Sequence, residues 1–373
     1  MLFFAGLILL IAASLPYIFY LSGIYFGKKQ NPPPSVETLP QISIIISAYN
    51  ESAVIEKRVE NIKKSTYPTT SYELIFVDDC SDDDTGNLAE KYLSLAGISH
   101  AVIRNKSRLG TNRSYNRALG EAAFDIIVTT DADVFFANNA LEKLISRLVS
   151  DDRIAAVCAD MYPVPDSKTL NTTIIEGNYR NFYGRMCGWE SEIDSTYNFN
   201  GGLVAFKKDI FDCILEGKGA DDANTAFESI RRGYRAFYEL ESLVYEVIPE
   251  SVGVQRRQKI RRATRLIEAT LANLDVLRIK RPFSRRFYPM RIMMYLVTPL
   301  LFFAGAIILL LSLVLLEFGI ISLVILFLIA LFPLLCRRFV LSFIINQFYL
   351  LSGLLRLGRD VSVWDSKSKK TGN

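Results

Sequence analysis

The chain has 373 residues, half of them hydrophobic and 22% charged, with a formal net charge of +4. The apolar residues are concentrated in residues 1–26 and 292–355, and the roughly 250 residues between them have an ordinary globular composition. This distribution excludes a disordered chain, a collagen and a transporter built entirely of membrane spans. It predicts a soluble domain that is held at a membrane.

Histidine and cysteine are too scarce for several common kinds of site. The single histidine, His100, argues against a histidine-based metal cluster and against a Ser-His-Asp triad. The five cysteines are odd in number, widely spaced and without a CxxC pair, so they indicate neither a disulfide framework nor a zinc site. Catalysis is therefore expected to rest mainly on carboxylates.

Residues 1–26 are almost wholly apolar and long enough to cross about 30 Å of hydrocarbon as a helix. A signal peptide is the competing interpretation, but no basic residue precedes the apolar run, which is also longer than a signal sequence requires. Lys28 and Lys29 follow the run directly. Because basic residues flank the cytoplasmic ends of spans, we expect an uncleaved anchor with the following chain in the cytoplasm.

Residues 292–316 and 318–336 are predicted to form a tight transmembrane hairpin around Glu317. Basic residues flank it on both sides: Arg278, Lys280, Arg281, Arg285, Arg286 and Arg291 before it, and Arg337 and Arg338 after it. Both flanks are therefore expected in the cytoplasm.

Residues 339–357 are predicted to form an amphipathic helix in the cytoplasmic interface of the membrane. The residues Ser342, Asn346, Tyr349, Gly353 and Arg356 fall on one helical stripe. A fourth span remains the alternative, although it would carry the basic tail to the outside.

The middle of the chain alternates short apolar runs with helical patterns. The runs, at residues 42–47, 74–77, 101–103, 126–129 and 154–158, predict buried strands, and residues 52–64, 83–96, 111–123 and 138–149 predict helices. This alternation predicts an α/β domain with a mostly parallel sheet. Ligands of such sheets bind beyond the carboxyl ends of the strands.

Acidic residues follow three of these predicted strands. Asp78 and Asp79 come after the second strand, and Asp131 and Asp133 come after the fourth; Glu51 lies just after the first. Crowded carboxylates repel one another, and a bound Mg²⁺ or Mn²⁺, which prefers oxygen ligands, would offset that repulsion. The next acidic residues, 82–84, are interpreted mainly as the acidic N-terminus of a helix.

Six segments in order resemble glycosyltransferase family 2, the inverting nucleotide-sugar enzymes with a Rossmann-like GT-A fold. They are SAYNE at residues 47–51, VDDCSDDDT at 77–85, NRAL at 116–119, TDAD at 130–133, NGGLVAFK at 200–207, and GADD at 219–222 followed by RGYRAFY at 232–238. The resemblance covers about residues 40–265. It implies a nucleotide-diphosphate sugar as the donor.

The resemblance also implies the roles of individual residues on the donor side. Tyr49 and Glu51 would line the nucleotide pocket, and Asp78 and Asp79 would reach the base and the ribose. Asn116, within the NRAL segment, would also contact the substrate.

Four further residues would carry the chemistry. Asp133 would bind the metal ion that bridges the diphosphate, and Asp131 would contribute to the metal site and hold the sugar and ribose. Asp222 would be the general base that takes the proton of the acceptor hydroxyl, with Asp221 as its rival. Capping of the following helix is the alternative interpretation of this pair.

The chain departs from the family in two places. Processive members carry Gln-x-x-Arg-Trp before the membrane hairpin, whereas here Arg262 follows Gln258 and Arg261 at the tryptophan position. This weakens a polymer-synthase interpretation. The frequent lysine after Gly110 is replaced by Thr111, so the diphosphate is expected to contact Arg108, Arg113 or Arg261.

Residues 256–291 contain twelve basic residues against Glu268 and Asp275. No recognition motif for nucleic acid accompanies them, and the stretch adjoins a predicted span, so nucleic acid is not an expected partner. Attraction to anionic lipid headgroups and binding of the phosphate of a lipid-linked acceptor are the two explanations left open.

The expected protein is a plasma-membrane transferase, with its catalytic domain in the cytoplasm, that moves a sugar to a lipid or lipid-linked acceptor. A UDP-sugar is the favoured donor and GDP-mannose the second. A processive polysaccharide synthase and an inactive binding or scaffold protein are the alternatives. The expected organisation is an anchor at 1–27, a linker at 28–40, the GT-A domain at 41–250, basic juxtamembrane helices at 251–291, the hairpin at 292–336, and the interfacial helix with its tail at 337–373.

Overall fold

A computed structural model describes residues 1–164, 170–211, 213–214, 220–247, 252–315, 324 and 337–358. The strands are β1 (Ile42–Ala48), β2 (Tyr72–Asp78), β3 (Ser99–Arg104), β4 (Ile126–Asp131), β5 (Val134–Phe136), β6 (Ile154–Pro163), β7 (Leu203–Lys207) and β8 (Arg235–Glu246). The helices are α1 (Leu2–Phe26), α2 (Ile55–Lys63), α3 (Thr85–Ala96), α4 (Thr111–Leu119), α5 (Ala140–Val149), α6 (Leu170–Ile193), α7 (Asp221–Arg231), α8 (Val252–Ala272), α9 (Tyr288–Ile292), α10 (Thr298–Val314) and α11 (Arg337–Leu354).

The strands form one sheet in the order β3-β2-β1-β4-β7-β6-β8-β5. The first four strands are parallel, so their carboxyl ends meet at one edge. Strand β7 runs antiparallel between β4 and β6, and β6 and β8 are parallel to each other. The predicted α/β fold is thus confirmed. The apolar-run criterion missed three strands: β5, which is short, β8, which mixes polar with apolar residues, and β7, which lies within the family segment 200–207.

Helices cover both faces of the sheet, as the continuous apolar strands require. Ile44 and Ile46 of β1 belong to a core with the buried face of α2, whereas Ile45 points to the opposite core, which includes residues of α4, α6, α7 and α8. This alternation along a strand explains why β1 shows no polar face in the sequence.

Two helical segments in the described part of the chain are long and apolar enough to cross a membrane: Leu2–Phe26 and Phe283–Ser312. The second begins nine residues before the predicted start at residue 292. One π-helical turn, Phe283–Phe287, directly precedes α9, and another, Met293–Val297, joins α9 to α10. The predicted third span at 318–336 lies outside the described residues. Lys28, just after α1, forms an ion pair with Glu192 of α6.

Helices α1 and α10 pack closely through glycines. A Cβ atom added at Gly6 would lie 2.9 Å from the backbone nitrogen of Leu309, and one at Gly305 would lie 3.1 Å from the carbonyl oxygen of Gly6. Small residues that allow two helix backbones to approach are typical of helix pairs in membranes.

A buried ion pair connects the apolar helices to the catalytic domain. Arg291 of α9 donates to Glu190 of α6 at 2.7 Å, and both side chains are fully buried. The same carboxylate accepts hydrogen bonds from Tyr20 of α1 and from Thr196. Arg291 also donates to the hydroxyl of Tyr295 at 2.9 Å. Three segments distant in sequence, at α1, at the end of α6 and at α9, therefore share one charged centre.

Helix α11 presents two different faces. Phe343 packs its ring against Tyr17 of α1 and Phe302 of α10, and Gln347 donates to the Tyr17 hydroxyl at 2.7 Å. A Cβ at Gly353 would lie 3.0 Å from the backbone nitrogen of Thr264 of α8. The opposite face exposes Leu341, Ile344 and Phe348. Ser342, Asn346, Tyr349 and Gly353 of the predicted polar stripe thus face the interior, Arg356 beyond the end of α11 is exposed, and the outer face is apolar.

We predict that Arg291→Met or Glu190→Gln lowers the free energy of unfolding by about 3–5 kcal/mol, because each change leaves a buried partner without its counter-charge. The double variant Glu190→Leu/Arg291→Met should lose less than the sum of the two single losses. Thermal unfolding in detergent micelles would measure this.

The exposed ion pair between Arg153 and Asp151 provides the control. Arg153→Met should change the stability by less than about 1 kcal/mol, since exposed pairs contribute little. Equal losses at Arg153 and Arg291 would contradict the role of burial.

Candidate active site

A cavity of about 370 Å³ opens at the carboxyl edge of the parallel strands. Its lining includes the ends of β1 and β4, the first turn of α7, one side of α8 and the polar stripe of α11. Volumes of this order are typical of small-molecule sites. The predicted site residues in its lining are Tyr49, Glu51, Asp79, Asp131, Asp133, Asp222 and Arg261.

The loops after β1 and β2 hold each other through side-chain hydrogen bonds. Asn50, which has a positive φ of 55°, donates its backbone N–H to Ser81 at 3.0 Å and accepts from the backbone of Asp82 at 2.8 Å. The backbone N–H of Glu51 donates to the Thr85 hydroxyl at 2.9 Å. The Asp82 carboxylate accepts hydrogen bonds from Tyr49 and Asn50 of the loop after β1. The sequence had instead predicted that it belongs to the acidic N-terminus of a helix.

Tyr49 is held between a carboxylate and a guanidinium. Its hydroxyl donates to Asp82 at 2.9 Å, and the guanidinium of Arg108 lies 3.7 Å from the ring centroid. The hydrogen bond to Asp82 raises the pKa of the Tyr49 hydroxyl above its ordinary value. Arg108, also in the cavity lining, was one of the cations expected to meet the diphosphate.

The adjacent residues Asp78 and Asp79 have different surroundings. Asp79 lines the cavity and accepts hydrogen bonds at 2.8 Å from Asn105 and from the backbone of Leu109 and Gly110, so it shapes the loop before α4. Asp78 is absent from the lining among the described residues; its carboxylate accepts from the Ser81 backbone at 3.0 Å. The contact of Asp78 with the nucleotide that the sequence implied stays a prediction.

Asn116 also lies outside the lining among the described residues. Its side-chain amide pairs with the backbone of Ile214, donating at 2.9 Å and accepting at 2.8 Å. This paired amide fixes a loop, which differs from the substrate contact expected from the sequence.

Asp131 and Asp133 both line the cavity at the end of β4. Just before them, the Thr130 hydroxyl donates to the carbonyl oxygen of Gly202 at 2.6 Å. Behind them lies Arg58 of α2, buried and donating to the same hydroxyl at 2.8 Å. Burial lowers the pKa of Arg58 to about 9, against the opposing charges of Asp131 and Asp133, so the guanidinium stays protonated at neutral pH.

Sequence reasoning missed Arg58, although a signal was present. Arg58 occupies the apolar stripe of α2 together with Ile55, Val59 and Ile62, all of them buried. A charged residue in such a stripe needs a buried counter-charge or hydrogen-bond partners.

Asp222 lies in the first turn of α7, where its carboxylate accepts from the backbone of Ala223 at 2.8 Å. The N-terminal turn of a helix stabilises negative charge. A Cβ added at Gly201, whose φ is +73°, would lie 3.5 Å from this carboxylate. The side chain of the rival residue Asp221 lies outside the described part of the structure.

The α8 side of the cavity is basic. Lys259, Arg261, Arg262 and Arg265 all belong to its lining. Burial lowers the pKa of Arg261 to about 10, helped by the charges of Arg262 and Arg265 and opposed by that of Asp131. A cationic helix thus faces the acidic strand ends across the cavity.

Arg262, at the tryptophan position of processive relatives, is engaged with β8. It forms a two-pronged hydrogen-bonded ion pair with Glu246, which Arg180 of α6 also contacts at 2.7 Å. Burial by itself would raise the pKa of the Glu246 carboxyl, but the charges of Arg262 and Arg180 outweigh burial and hold that pKa well below its usual range.

A buried polar network supports the cavity from the side of β6. Asp160 accepts from the Tyr238 hydroxyl at 2.9 Å, and Asn200 donates to the same hydroxyl at 3.1 Å. Burial raises the pKa of Asp160 to about 6, although hydrogen bonds from Tyr238 and Tyr162 oppose the shift.

The residues present would fit a divalent cation that takes some of its ligands from the protein and the rest from a bound substrate. In the described part of the chain, no group of three or more His, Cys, Asp or Glu side chains could hold a metal ion by itself. Asp131 and Asp133 offer the oxygen ligands that Mg²⁺ and Mn²⁺ prefer, so a substrate diphosphate would have to complete the coordination.

The family model "Glycosyl transferase family 2" matches residues 43–215. The chain therefore carries a glycosyltransferase family 2 domain with the GT-A fold and is a glycosyltransferase. It is 26% identical over 320 residues to the "Probable glycosyltransferase YdaM" of Bacillus subtilis, covering 82% of this chain and 75% of that protein.

One further sequence relative and one solved structure carry names that state different activities. Poly-beta-1,6-N-acetyl-D-glucosamine synthase of Staphylococcus aureus is 22% identical over 253 residues, covering 66% of this chain and 59% of that protein. The structure of the mannosyltransferase PcManGT from Pyrobaculum calidifontis, in complex with GDP-Man and Mn²⁺, superposes with a TM-score of 0.79. It covers 95% of this chain and 98% of its own, at 23% identity, and shows the shared fold.

We predict that Asp160→Asn stabilises the protein by about 2–3 kcal/mol above pH 6, since each unit of a pKa shift corresponds to about 1.4 kcal/mol. The folded state raises the pKa of Asp160 to about 6. Its favourable contribution is therefore present below the ordinary pKa, near 3.9, and is lost as the pH rises through about 6. Unfolding temperatures measured between pH 4 and 8 should separate the two proteins only at the upper end.

Glu246→Gln should show the opposite trend. The pKa of Glu246 is lowered, so its contribution is present above the ordinary pKa of about 4.3 and is lost on acidification. The variant should be less stable than the wild type at pH 7, with the difference shrinking towards acid pH. Parallel curves for both variants would contradict these assignments.

Proposed function

We propose that this protein transfers a sugar from a nucleotide-diphosphate sugar to a lipid or lipid-linked acceptor at the cytoplasmic face of the plasma membrane, with inversion at the anomeric carbon. The observation that supports this most is the cavity itself. One space contains the paired carboxylates of Asp131 and Asp133, the separate carboxylate of Asp222 and the cations of α8.

Asp131 and Asp133 would hold Mg²⁺ or Mn²⁺ on the donor side. When bound there, the cation supplies positive charge opposite a diphosphate, whose negative charge grows as the sugar departs. Arg261 and Arg108, on other walls of the same cavity, would contact the donor phosphates directly.

Asp222 would act on the acceptor. In an inverting transfer the acceptor hydroxyl attacks from the face opposite the leaving diphosphate, and a carboxylate takes its proton. The hydrogen bond from Ala223 orients the Asp222 carboxylate at the start of α7, and Gly201 leaves space beside it. Tyr49, Glu51 and Asp79, which line the same cavity, would contact the nucleotide.

The acceptor would approach from the side of α8 and α11. Ser342, Asn346 and Tyr349 of α11 line the cavity, while Leu341 and Ile344 on its outer face are exposed. An apolar outer face next to the two apolar helices suits a helix that lies in the membrane interface. A lipid-linked substrate would then have its head group in the cavity and its chain in the bilayer.

The nucleotide and sugar are proposed from two sources. A UDP-sugar is the first candidate on the resemblance to the family. GDP-mannose is the second, and the superposition with a mannosyltransferase that holds GDP-Man and Mn²⁺ supports it.

A processive polysaccharide synthase is the second candidate function, because of the similarity to the staphylococcal synthase. The ion pair of Arg262 with Glu246 argues for single transfer, since the family's acceptor-stacking tryptophan is absent at this place. Membranes incubated with labelled nucleotide sugars and extracted with organic solvent would separate the two. Label in the solvent phase supports a lipid product, and label in insoluble polymer supports the synthase.

We predict that Asp133→Asn lowers sugar transfer to background while the folded protein stays in the membrane, because the change removes a metal ligand. EDTA should have the same effect on the wild type, and Mn²⁺ or Mg²⁺ should restore only the wild type. Transfer of labelled sugar would be measured.

Asp84→Asn is the matched control, because Asp84 is an exposed aspartate at the start of α3. Its activity should equal that of the wild type. Full activity of Asp133→Asn, or indifference of the wild type to chelation, would be incompatible with the metal assignment.

We predict that Asp222→Asn lowers kcat by about 10²–10⁴-fold with little change in the KM for the donor, because a general base acts on the acceptor hydroxyl in the transition state. Asp221→Asn should have a milder effect. Steady-state kinetics with the donor identified by thermal-shift screening would measure both. A reversed order would assign the base to Asp221.

A further inference from the structure

Arg58 is a buried cation in the core behind the acidic strand ends, with 1% of its surface exposed. Its hydrogen bonds go to neutral groups: Nη2 donates to the Thr130 hydroxyl at 2.8 Å and Nη1 to the Asn61 side-chain oxygen at 3.0 Å. The guanidinium also lies 4.2 Å from the ring centroid of Phe136. Burying a charge is costly unless opposite charges are near, so the guanidinium of Arg58 requires counter-charges in its surroundings.

Arg58 is bonded to Thr130, the residue directly before Asp131, and the charges of Asp131 and Asp133 oppose the lowering of the Arg58 pKa by burial. These two carboxylates are therefore its counter-charges. Asp131 also acts on Arg261 from the other side of the cavity. The two carboxylates therefore lie between two cations, one buried behind them and one on α8. These two cations offset part of the repulsion between the two carboxylates without any metal ion.

Arg58 and its neighbour Asn61 also fix both ends of the acidic segment. Before Asp131, the hydroxyl of Thr130 accepts from Arg58 and donates to Gly202. After Asp133, Asn61 accepts from the backbone N–H of Phe136 and donates to its carbonyl oxygen, both at 2.9 Å. One turn of α2 therefore holds the segment from both sides.

We propose that Arg58 is a positioning residue, the resident counter-charge of Asp131 and Asp133, which keeps their segment in place without a metal ion and makes binding of a divalent cation conditional on the donor diphosphate. A divalent ion alone would add two positive charges next to Arg58 and Arg261, whereas an ion that arrives with a diphosphate adds little net positive charge. This inference rests on the proposed function, in which these two carboxylates hold the metal.

The test measures Mn²⁺ binding directly, from the signal of the free ion in electron paramagnetic resonance, with purified full-length protein in detergent. Titrations are made without nucleotide, with UDP and with GDP. Arg58→Met and Arg58→Gln remove the charge, and Arg58→Lys keeps it. Lys57→Met is the matched control, since it removes one positive charge from the exposed side of the same helix.

The wild type should bind Mn²⁺ at least about tenfold more weakly without a nucleoside diphosphate than with the one that it accepts. Arg58→Met and Arg58→Gln should bind Mn²⁺ about tenfold more tightly than the wild type in the absence of nucleotide, because a unit charge several ångströms from a divalent ion has an effect of this order. Arg58→Lys and Lys57→Met should resemble the wild type.

The neutral variants are expected to fold. Thr130 keeps its hydrogen bond to Gly202, and Asn61 keeps both of its bonds to Phe136. The methionine chain can occupy the apolar space beside the Phe136 ring. Should both variants nevertheless fail to fold, the wild-type titrations still decide, since equal Mn²⁺ affinity with and without nucleotide overturns the inference.

Other outcomes are equally distinct. If Mn²⁺ binding by the wild type depends on nucleotide but the neutral variants bind Mn²⁺ no more tightly than the wild type, the role of Arg58 is overturned. The proposed function then remains intact. The wild type could also fail to bind Mn²⁺ even with UDP or GDP, and transfer could be insensitive to chelators. These two results together would contradict the metal assignment of the proposed function, and the inference with it.

Discussion

Repulsion between carboxylates gathered at one edge of the sheet is the constraint on which the rest of the site depends. Parallel strands bring their carboxyl ends together, so Asp131 and Asp133 share one cavity with Asp79. Like charges in a partly buried space are unfavourable unless cations or donors offset them. Arg58 behind the strands and Arg261 on α8 provide that charge. The basic character of α8 is therefore part of the active site as well as a property of its surface.

The same principle connects the catalytic domain to the apolar helices. Glu190 is fully buried and bonded to Arg291, Tyr20 and Thr196, so that α1, the end of α6 and α9 meet at one carboxylate. Such a centre is stable only when all its partners are in place, because an unpaired buried charge is costly. The apolar helices and α6 are thereby fixed relative to each other, beside the cavity that Tyr295, a partner of Arg291, helps to line.

The amphipathic pattern of α11 does not by itself determine which of its two faces is exposed. Polar residues at helical spacing ordinarily face water, yet Ser342 and Asn346 line the cavity and Gly353 packs against α8. The exposed side is instead apolar, with Leu341 and Phe348. The sequence could indicate that two faces exist, but the partner of each face follows from the position of α8 and the apolar helices.

The sequence by itself determined the α/β fold, the family and the carboxylates at the strand ends, because buried parallel strands and short acidic motifs are local patterns. It assigned both Asp78 and Asp79 to the nucleotide, whereas only Asp79 of the two lines the cavity, since neighbouring residues of an extended chain point in opposite directions. It also gave no role to Arg58 or to Glu246. Their partners lie 72 and 16 residues away along the chain, and only the packing of α2 and α8 against the sheet brings these charges together.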